Sequence, residues 1–270
     1  MSLNSVNTNR QAIFALQSLN NTNAALGGVQ KRVSTGLRVA DARDDGGAFA
    51  VASAVRSDIA GVTAVNEQLG GVKGVLQTTF AALTQVTETM TQARQVLTRL
   101  ADGAISTEQR TQYELQYNSL ADQIADFIAD ANYNGTTLLA GGSGITSIRN
   151  EEGDNFTITA ETAASLSIAA TAPSGATAAT TYLIGGFVTV ETAVSSALNK
   201  FGASMQYVEN QITYNSKKND ALSDGLGALV DADLAKESAN LQALQTRQQL
   251  GIQTLSLANQ GPQVLLSLFR

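Results

Sequence analysis

The sequence predicts a mainly α-helical protein. Long antiparallel helices from the N- and C-terminal halves should form a bundle or coiled coil, with a small antiparallel β insert between them. Two observations support the helices: amide-rich helical patterns at both ends, and an apolar seven-residue repeat between them. The third is a central segment, rich in glycine and threonine, that loses its charge after Glu161. The repeat requires a left-handed supercoil with partners of similar length, and its apolar positions are Val62, Leu69, Leu76, Leu83, Met90 and Leu97.

Composition limits the chemistry of the chain. Its 270 residues include 2 prolines and no cysteine, histidine or tryptophan. Few prolines favour long uninterrupted helices. Without histidine and cysteine there is no imidazole base, no thiolate nucleophile and no ordinary zinc site, so we expect no enzyme activity, no catalytic residue, no cofactor and no metal. The net charge of -6 disfavours a dedicated nucleic-acid binder.

Targeting signals are absent from the sequence as it stands. The first ten residues lack the basic start and apolar run of a secretory signal. No run of ~20 apolar residues occurs, and we therefore expect no membrane insertion. A cytoplasmic protein, or one exported without a cleaved signal, would have this sequence pattern.

The first helix should cover residues 3–33, because apolar residues recur there mostly at three-, four- and seven-residue steps. Its apolar stripe is narrow, which suits a helix buried against other helices in an assembly. Glycines and clustered charges then predict a loop over 34–47. The aspartates of this loop could bind calcium or magnesium, but their spacing is irregular and arginines lie among them. We expect a salt-bridged turn that caps the next helix.

Two further helices follow this loop. The heptad helix should span 48–102, and the sequence from Ser106 to Gln109 predicts a capping box that opens its antiparallel neighbour. A turn is predicted at 133–135. In the central segment, the runs 156–159, 166–168 and 187–190 favour strands.

Helix should resume near Glu191 and again from 229 to the C-terminus. The final residues are strongly apolar, and we expect other subunits to bury them. The predicted domains are a terminal coiled coil (1–44 plus 231–270), an inner helical bundle (45–140 plus 191–230) and a β-hairpin surface insert (141–190).

Two terminal signatures carry a resemblance to a known family. Residues 31–38 (KRVSTGLR) with 42–47 (ARDDGG), and residues 231–233 (DAD) with 258–270 (ANQGPQVLLSLFR), resemble the ends of bacterial flagellins. The short insert is similar to that of alphaproteobacterial members. The central segment carries no such signature.

The resemblance implies an extracellular structural subunit that polymerises into the flagellar filament, the helical propeller for swimming, after type III export without a cleaved signal peptide. Implied partners are further copies of the chain, the flagellar cap and hook-junction proteins, and an export chaperone on the C-terminal helix. Three alternatives remain: a hook–filament junction protein of the same superfamily, a type III secreted binding module, and an enzyme. Some flagellins carry peptidase inserts, but a chain without histidine cannot form the His-Glu-x-x-His motif.

Candidate site residues fall into three groups. We predict a polymerisation interface made by Leu3, Val6, Ile13, Leu16, Leu255, Val264, Leu265, Leu268 and Phe269. The family signature loop contains Gly36, Leu37, Arg38, Asp44 and Asp45. In many flagellins an Arg and Leu pattern near residues 90–97 is recognised by an animal innate receptor; the matching positions here are Gln92, Arg94 and Val96. Because only Arg94 keeps the pattern, we expect weak recognition.

Overall fold

The structure is a computed structural model that describes residues 9–142 and 144–268, and their side chains as far as residue 260. It confirms a mainly helical chain with a small antiparallel sheet. The elements are α1 (Arg10–Thr35), α2 (Gly46–Leu100), α3 (Thr107–Ala129), β1 (Ile145–Ile148), β2 (Asn155–Ile158), α4 (Ala163–Leu166), α5 (Ala176–Ile184), α6 (Gly186–Val230) and α7 (Leu234–Leu268).

The described chain forms two compact units. We call the residues up to Ser57 and from Ala221 the terminal unit, and residues 58–220 the inner unit. The division falls within α2 and α6. The three-part division from the sequence, with a separate insert, stays a prediction.

The heptad helix supplies the core of the inner unit. The six positions of the seven-residue repeat are each at most 4% exposed. The positions three residues further on are also buried, including Thr79, whose hydroxyl donates to the carbonyl of Val75 at 2.8 Å. This bond removes the cost of burying a polar group in an apolar seam.

Helix α6 runs antiparallel to α2 within the inner unit. Asn219 Nδ2 lies 3.1 Å from Thr63 Oγ1, Lys73 pairs with Glu209 at 2.9 Å, and Arg94 pairs with Glu191 at 3.2 Å. As the residue number rises along α2, the partner number falls along α6, which defines the antiparallel direction. Phe201 and Val208 of α6 are fully buried in the same core.

The predicted start of α3 is confirmed. The Ser106 hydroxyl accepts from the backbone N–H of Gln109 at 3.2 Å, and the Gln109 side chain accepts from the backbone N–H of Ser106 at 3.0 Å. This reciprocal pair satisfies two donors that the helix itself leaves unpaired.

The central segment contains less strand than the sequence predicts. The run 156–159 contributes most of β2, which pairs antiparallel with β1. Strand was the wrong prediction for the other two runs: Leu166 ends α4, and Phe187 lies in the first turn of α6. Both side chains are at most 1% exposed. Burial against helices decided the outcome, because short apolar runs suit either structure.

The turn between β1 and β2 is attached to α6 by side chains of that helix. The carbonyl of Arg149 accepts from Gln211 Nε2 at 3.1 Å and from Asn215 Nδ2 at 3.2 Å. Lys218 pairs with Glu151, and its ammonium holds the pKa of that carboxyl below the usual value. These contacts give the hairpin a fixed position in the inner unit.

The terminal unit is built on an antiparallel pair of helices, α1 and α7. Asn9 Nδ2 donates to the carbonyl of Ala258 at 2.6 Å, and Gln248 Nε2 donates to Asn23 Oδ1 at 2.8 Å. Near the other end of α1, Arg32 pairs with Glu237 at 3.2 Å. In all three pairs the two residue numbers add up to about 269. Helices α1 and α7 therefore keep one register along the length of the pair.

Candidate assembly interface

Helices α1 and α7 meet along an inner seam that repeats at three- and four-residue steps. Its side chains are buried or partly buried, and those of α1 are small or aliphatic over most of its length. A Cβ on Gly251 would lie 3.2 Å from Leu19, so the two backbones approach closely there. The seam contains Ala12, Ala15, Leu19, Thr22, Leu26, Val29 and Val33 of α1, and Glu237, Leu241, Leu244, Gln248, Gly251, Leu255 and Ala258 of α7.

The other faces of the same two helices carry exposed apolar side chains. We define the outer patch as Ile13, Phe14 and Leu16 of α1 with Leu250 and Leu257 of α7. Ile13 is 58% and Leu257 is 68% exposed. The pairing register puts these two residues at the same level of the helix pair. A pair of helices has no third element within itself to cover such a patch, and exposed apolar patches of this kind mark interaction sites.

The structure separates the residues that the sequence grouped together as an interface. Ile13 and Leu16 are exposed, as a contact with another subunit requires. Leu255 lies on the inner seam and is partly buried within the chain. Positions 264, 265 and 268 lie in α7, although their side chains (Val264, Leu265 and Leu268) are not described. Leu3, Val6 and Phe269 lie outside the described residues.

Sequence reasoning missed Phe14, Leu250 and Leu257. A signal for the last two was present, because Leu250, Leu257 and Val264 follow one another at seven-residue steps. This second repeat lies beside that of the inner seam, and a single list of apolar positions merges the two stripes.

The signature loop connects α1 to the end of α6 through its backbone. Gly36 ends α1 with φ +72°, a conformation that glycine adopts without strain, and its N–H donates to the carbonyl of Arg32 at 2.9 Å. The N–H of Arg38 donates to the carbonyl of Val230 at 2.7 Å, and its guanidinium donates to that of Leu229 at 2.6 Å. Leu37 and Asp231 form an isolated antiparallel β-bridge. These contacts hold the signature loop against the end of α6, just before α7 begins.

Two aspartates of the loop pair with Lys31 in the last turns of α1. Lys31 Nζ lies 2.9 Å from Asp41 and 2.7 Å from Asp44, and its ammonium holds the pKa of both carboxyls below the usual value. Asp45 Oδ1 accepts from the backbone N–H of Ala48 at 3.0 Å, which caps α2. The predicted salt-bridged capping turn is confirmed, and these carboxylates are held by donors of the chain itself.

The candidate receptor positions differ in accessibility. Gln92 and Arg94 are exposed on α2, whereas Val96 is 3% exposed and belongs to the core. The Arg94 guanidinium lies 5.9 Å from the ring centre of Phe187, in addition to its pair with Glu191. In the folded chain, a receptor could therefore contact the side chains of Gln92 and Arg94 but not that of Val96.

Two helical stretches, Gly46–Leu100 and Ala176–Val230, are long and apolar enough by composition to cross a membrane. Core helices of soluble proteins pass the same test. In α2 the large apolar residues of the heptad repeat are buried inside the inner unit. The absence of membrane insertion stays a prediction.

Comparison with known proteins gives consistent matches at both ends of the chain. Residues 6–143 match the bacterial flagellin N-terminal helical region, and residues 187–269 match the bacterial flagellin C-terminal helical region. Flagellin FljK of Caulobacter vibrioides is 38% identical, with 100% of each chain covered. A flagellin of Brucella melitensis is 34% identical over 98% of this chain and 99% of its own.

A solved structure from Vibrio parahaemolyticus, described as a flagellar hook-associated protein, is also similar. Its TM-score is 0.59 at 13% identity, and the match covers 70% of this chain and 100% of that one. At this identity the likeness shows the fold alone.

Proposed function

The chain belongs to the bacterial flagellin family and is a structural subunit of the extracellular flagellar filament, and we propose that it polymerises through the outer patch of its terminal unit. The observation that carries this proposal is the exposure of large apolar side chains on both α1 and α7. Their inner seam is already occupied within the chain, so the outer patch is available to other copies.

The energetics favour burial of this patch by further subunits. Fully burying one leucine, isoleucine or phenylalanine side chain contributes about 1.5–3 kcal/mol. The five side chains of the outer patch are between 48% and 68% exposed. Much of that contribution is still available when the subunit assembles. Position 264, one heptad beyond Leu257, would extend the same contact toward the C-terminus.

Membership of the family supports a proposal for the route to the filament and for the accessory partners. We propose export through the type III apparatus without a cleaved signal peptide, and addition at the filament tip under the cap protein. Hook-junction proteins would contact the first subunits. The export chaperone would bind α7, whose exposed leucines offer it an apolar surface before assembly. Flagellins are a structural protein family, which agrees with the prediction that the chain is not an enzyme.

Seeded polymerisation of the purified chain tests the proposal. Short filament seeds are added to monomer, and the products are observed by negative-stain electron microscopy. We expect long fibres of uniform width from the unaltered chain, and soluble monomer from Leu268→Asp. Persistent monomers or short rings of intact unaltered chain would favour a junction protein or a secreted binding module. Normal fibres from Leu268→Asp would contradict the prediction that Leu268 belongs to the polymerisation interface.

A further inference from the structure

The turn after α3 carries the one Asn-Gly pair of the sequence, Asn134 and Gly135. Both residues are exposed to water. Because glycine has no side chain, its backbone nitrogen approaches the side-chain carbon of a preceding asparagine with little hindrance. Attack of that nitrogen on the carboxamide releases ammonia, which makes an Asn-Gly pair chemically labile. The pair is therefore a candidate modification site in the inner unit, away from the residues assigned to polymerisation.

The predicted turn at 133–135 is confirmed, and it has the backbone of a tight hairpin turn. The N–H of Tyr133 donates to the carbonyl of Thr136 at 2.9 Å, and the N–H of Thr136 donates back at 3.0 Å. Between them, Asn134 has φ +50° and Gly135 has φ +80°. Positive φ at both central residues is the requirement of a type I′ turn. Among the described residues, Asn134 is the one non-glycine residue with positive φ.

The nitrogen that would attack is held by a neighbouring side chain. The N–H of Gly135 donates to Asn132 Oδ1 at 2.7 Å. This nitrogen becomes a nucleophile only when it loses its proton, and a hydrogen bond made by the protonated form favours that form. A base that removes the proton has to displace the Asn132 oxygen first. Asn132 therefore opposes the reaction of the pair that follows it.

The turn is also anchored on both sides. On one side, a Cβ on Gly74 of α2 would lie 2.8 Å from Cζ of Tyr133, so the tyrosine ring packs directly against the helix backbone. On the other side, the chain continues into Leu138 and Leu139, which are fully buried. Rotation of the backbone between Asn134 and Gly135, which attack requires, is restricted while these neighbours stay packed.

Two other described asparagines precede a small residue, serine, but their environment differs. Asn118 lies in α3 and Asn215 lies in α6, so the following nitrogens belong to helices. Asn118 Oδ1 accepts from the N–H of Ala172 at 2.7 Å, and Asn215 Nδ2 donates to the carbonyl of Arg149 at 3.2 Å. Both side chains are used in packing the inner unit, whereas Asn134 lies in an exposed turn.

We propose that Asn134 is a deamidation site and that the folded turn restrains the reaction through Asn132. The Gly135 nitrogen forms a bond to Cγ of Asn134, and the bond from Cγ to the amide nitrogen breaks. Ammonia leaves with the proton that Gly135 gives up. Water then opens the cyclic imide at either of its carbonyl carbons, which leaves aspartate or isoaspartate. This inference does not depend on the polymerisation proposed above.

The products would alter the inner unit. Either one adds a negative charge to a chain whose net charge is already -6. Isoaspartate also lengthens the backbone by one carbon within a turn of two residues, whose geometry sets the pairing of its flanks. The two bonds between Tyr133 and Thr136 cannot both survive that change. Tyr133 would then lose its seat on α2, so we expect the isoaspartate form to melt at a lower temperature.

Peptide mapping by mass spectrometry tests the site and its restraint. Purified chain is kept at mildly alkaline pH, either folded or unfolded in urea, and the conversion of each asparagine is followed with time. We expect Asn134 to convert fastest of all asparagines in urea, and at least roughly tenfold more slowly in the folded chain. Faster conversion of another asparagine in urea would overturn the site. Equal rates at Asn134 in both states would overturn the restraint.

A matched pair of variants tests the role of Asn132. Asn132→Ala removes the acceptor, whereas Asn132→Asp keeps an oxygen at the same position. Loss of one ordinary hydrogen bond corresponds to roughly a fivefold acceleration, which we expect in the folded alanine variant. The aspartate variant should react no faster than the unaltered chain. An unchanged rate in Asn132→Ala, or equal acceleration in both variants, would contradict this role.

Amide hydrogen exchange separates loss of the acceptor from opening of the whole turn. In Asn132→Ala, the amide of Gly135 should exchange faster, while the amides of Tyr133 and Thr136 keep their protection. Loss of protection at all three amides would show that the turn had opened, and would overturn Asn132 as the group that restrains Gly135.

Gly74→Ala tests the anchor on α2, with Gly70→Ala as its control. A Cβ at Gly74 collides with Tyr133, whereas a Cβ at Gly70 meets no atom within 4 Å. We expect faster deamidation of folded Gly74→Ala and an unchanged rate in Gly70→Ala. Alanine favours a helix over glycine, so a general loss of helix stability would not explain the difference. Equal rates in the two variants would contradict the anchoring of the turn by Tyr133.

Discussion

Replacing Leu257 by alanine tests whether the outer patch is a contact between subunits. The side chain is 68% exposed in the single chain. Leu→Ala removes three carbons, worth roughly 2.4 kcal/mol when fully buried at about 0.8 kcal/mol each. About two thirds of this, roughly 1.6 kcal/mol, is still to be gained on assembly. The variant should therefore raise the critical concentration for filament growth roughly 15-fold, since 1.4 kcal/mol corresponds to a factor of ten.

The assay is seeded growth at several monomer concentrations, with the residual monomer measured after sedimentation of the filaments. The folded monomer should be affected little, because exposed substitutions usually shift stability by less than about 0.5 kcal/mol. Leu255→Ala supplies the contrast. This residue lies two positions away on the inner seam, so its loss should lower the thermal stability of the α1–α7 pair, measured by circular dichroism.

Two results would refute this reasoning. A critical concentration within twofold of the unaltered chain would show that Leu257 makes no contact with another subunit. A loss of monomer stability equal to that of Leu255→Ala would show that Leu257 closes the helix pair within the chain instead.

Three further predictions concern the inner unit, the signature loop and receptor recognition. Phe201→Ala should lower the free energy of unfolding by about 3–5 kcal/mol, because Phe201 is fully buried; a change below about 1 kcal/mol in urea unfolding would contradict the described core. Lys31 holds the pKa of Asp41 and Asp44 below the usual value for an aspartate. The stabilisation from these carboxylates is therefore fully present above that usual pKa, and it should be lost as the pH falls through their lowered pKa. Calorimetry from pH 2 to 6 should show a weaker pH dependence in Lys31→Met, and an unchanged profile would refute the linkage. Purified monomer, with Gln92 in place of the usual arginine, should activate a reporter cell for the innate receptor weakly, and full-strength activation would overturn that prediction.

The helices were predictable because their signals are local or strictly periodic. The heptad of α2 identified the buried face before any partner was known, and the six positions from Val62 to Leu97 are all buried. The capping box at Ser106 follows from the hydrogen bonds that the start of a helix requires. The two terminal signatures, 31–38 with 42–47 and 231–233 with 258–270, carried the resemblance from which the family was inferred.

The central segment was predicted less well. The runs at Leu166 and Phe187 are short, apolar or β-branched, and fit a strand or a helix equally. Phe187 became helical because it packs into the core of the inner unit, against elements far away in sequence. The free-energy difference between the intrinsic strand and helix preferences of such a run is smaller than the free energy that burying the phenylalanine side chain contributes.

The sequence by itself determined that the chain is helical, where α2 places its buried face, and that both ends carry apolar stripes suited to assembly. Only the tertiary structure decided which residues of those stripes face inward, so that Leu255 packs within the chain while Leu257 remains exposed. It also brought the ring of Tyr133 against α2 at Gly74. The physical reason is that periodicity identifies a face of a helix, whereas the partner of that face depends on contacts between residues distant in the chain.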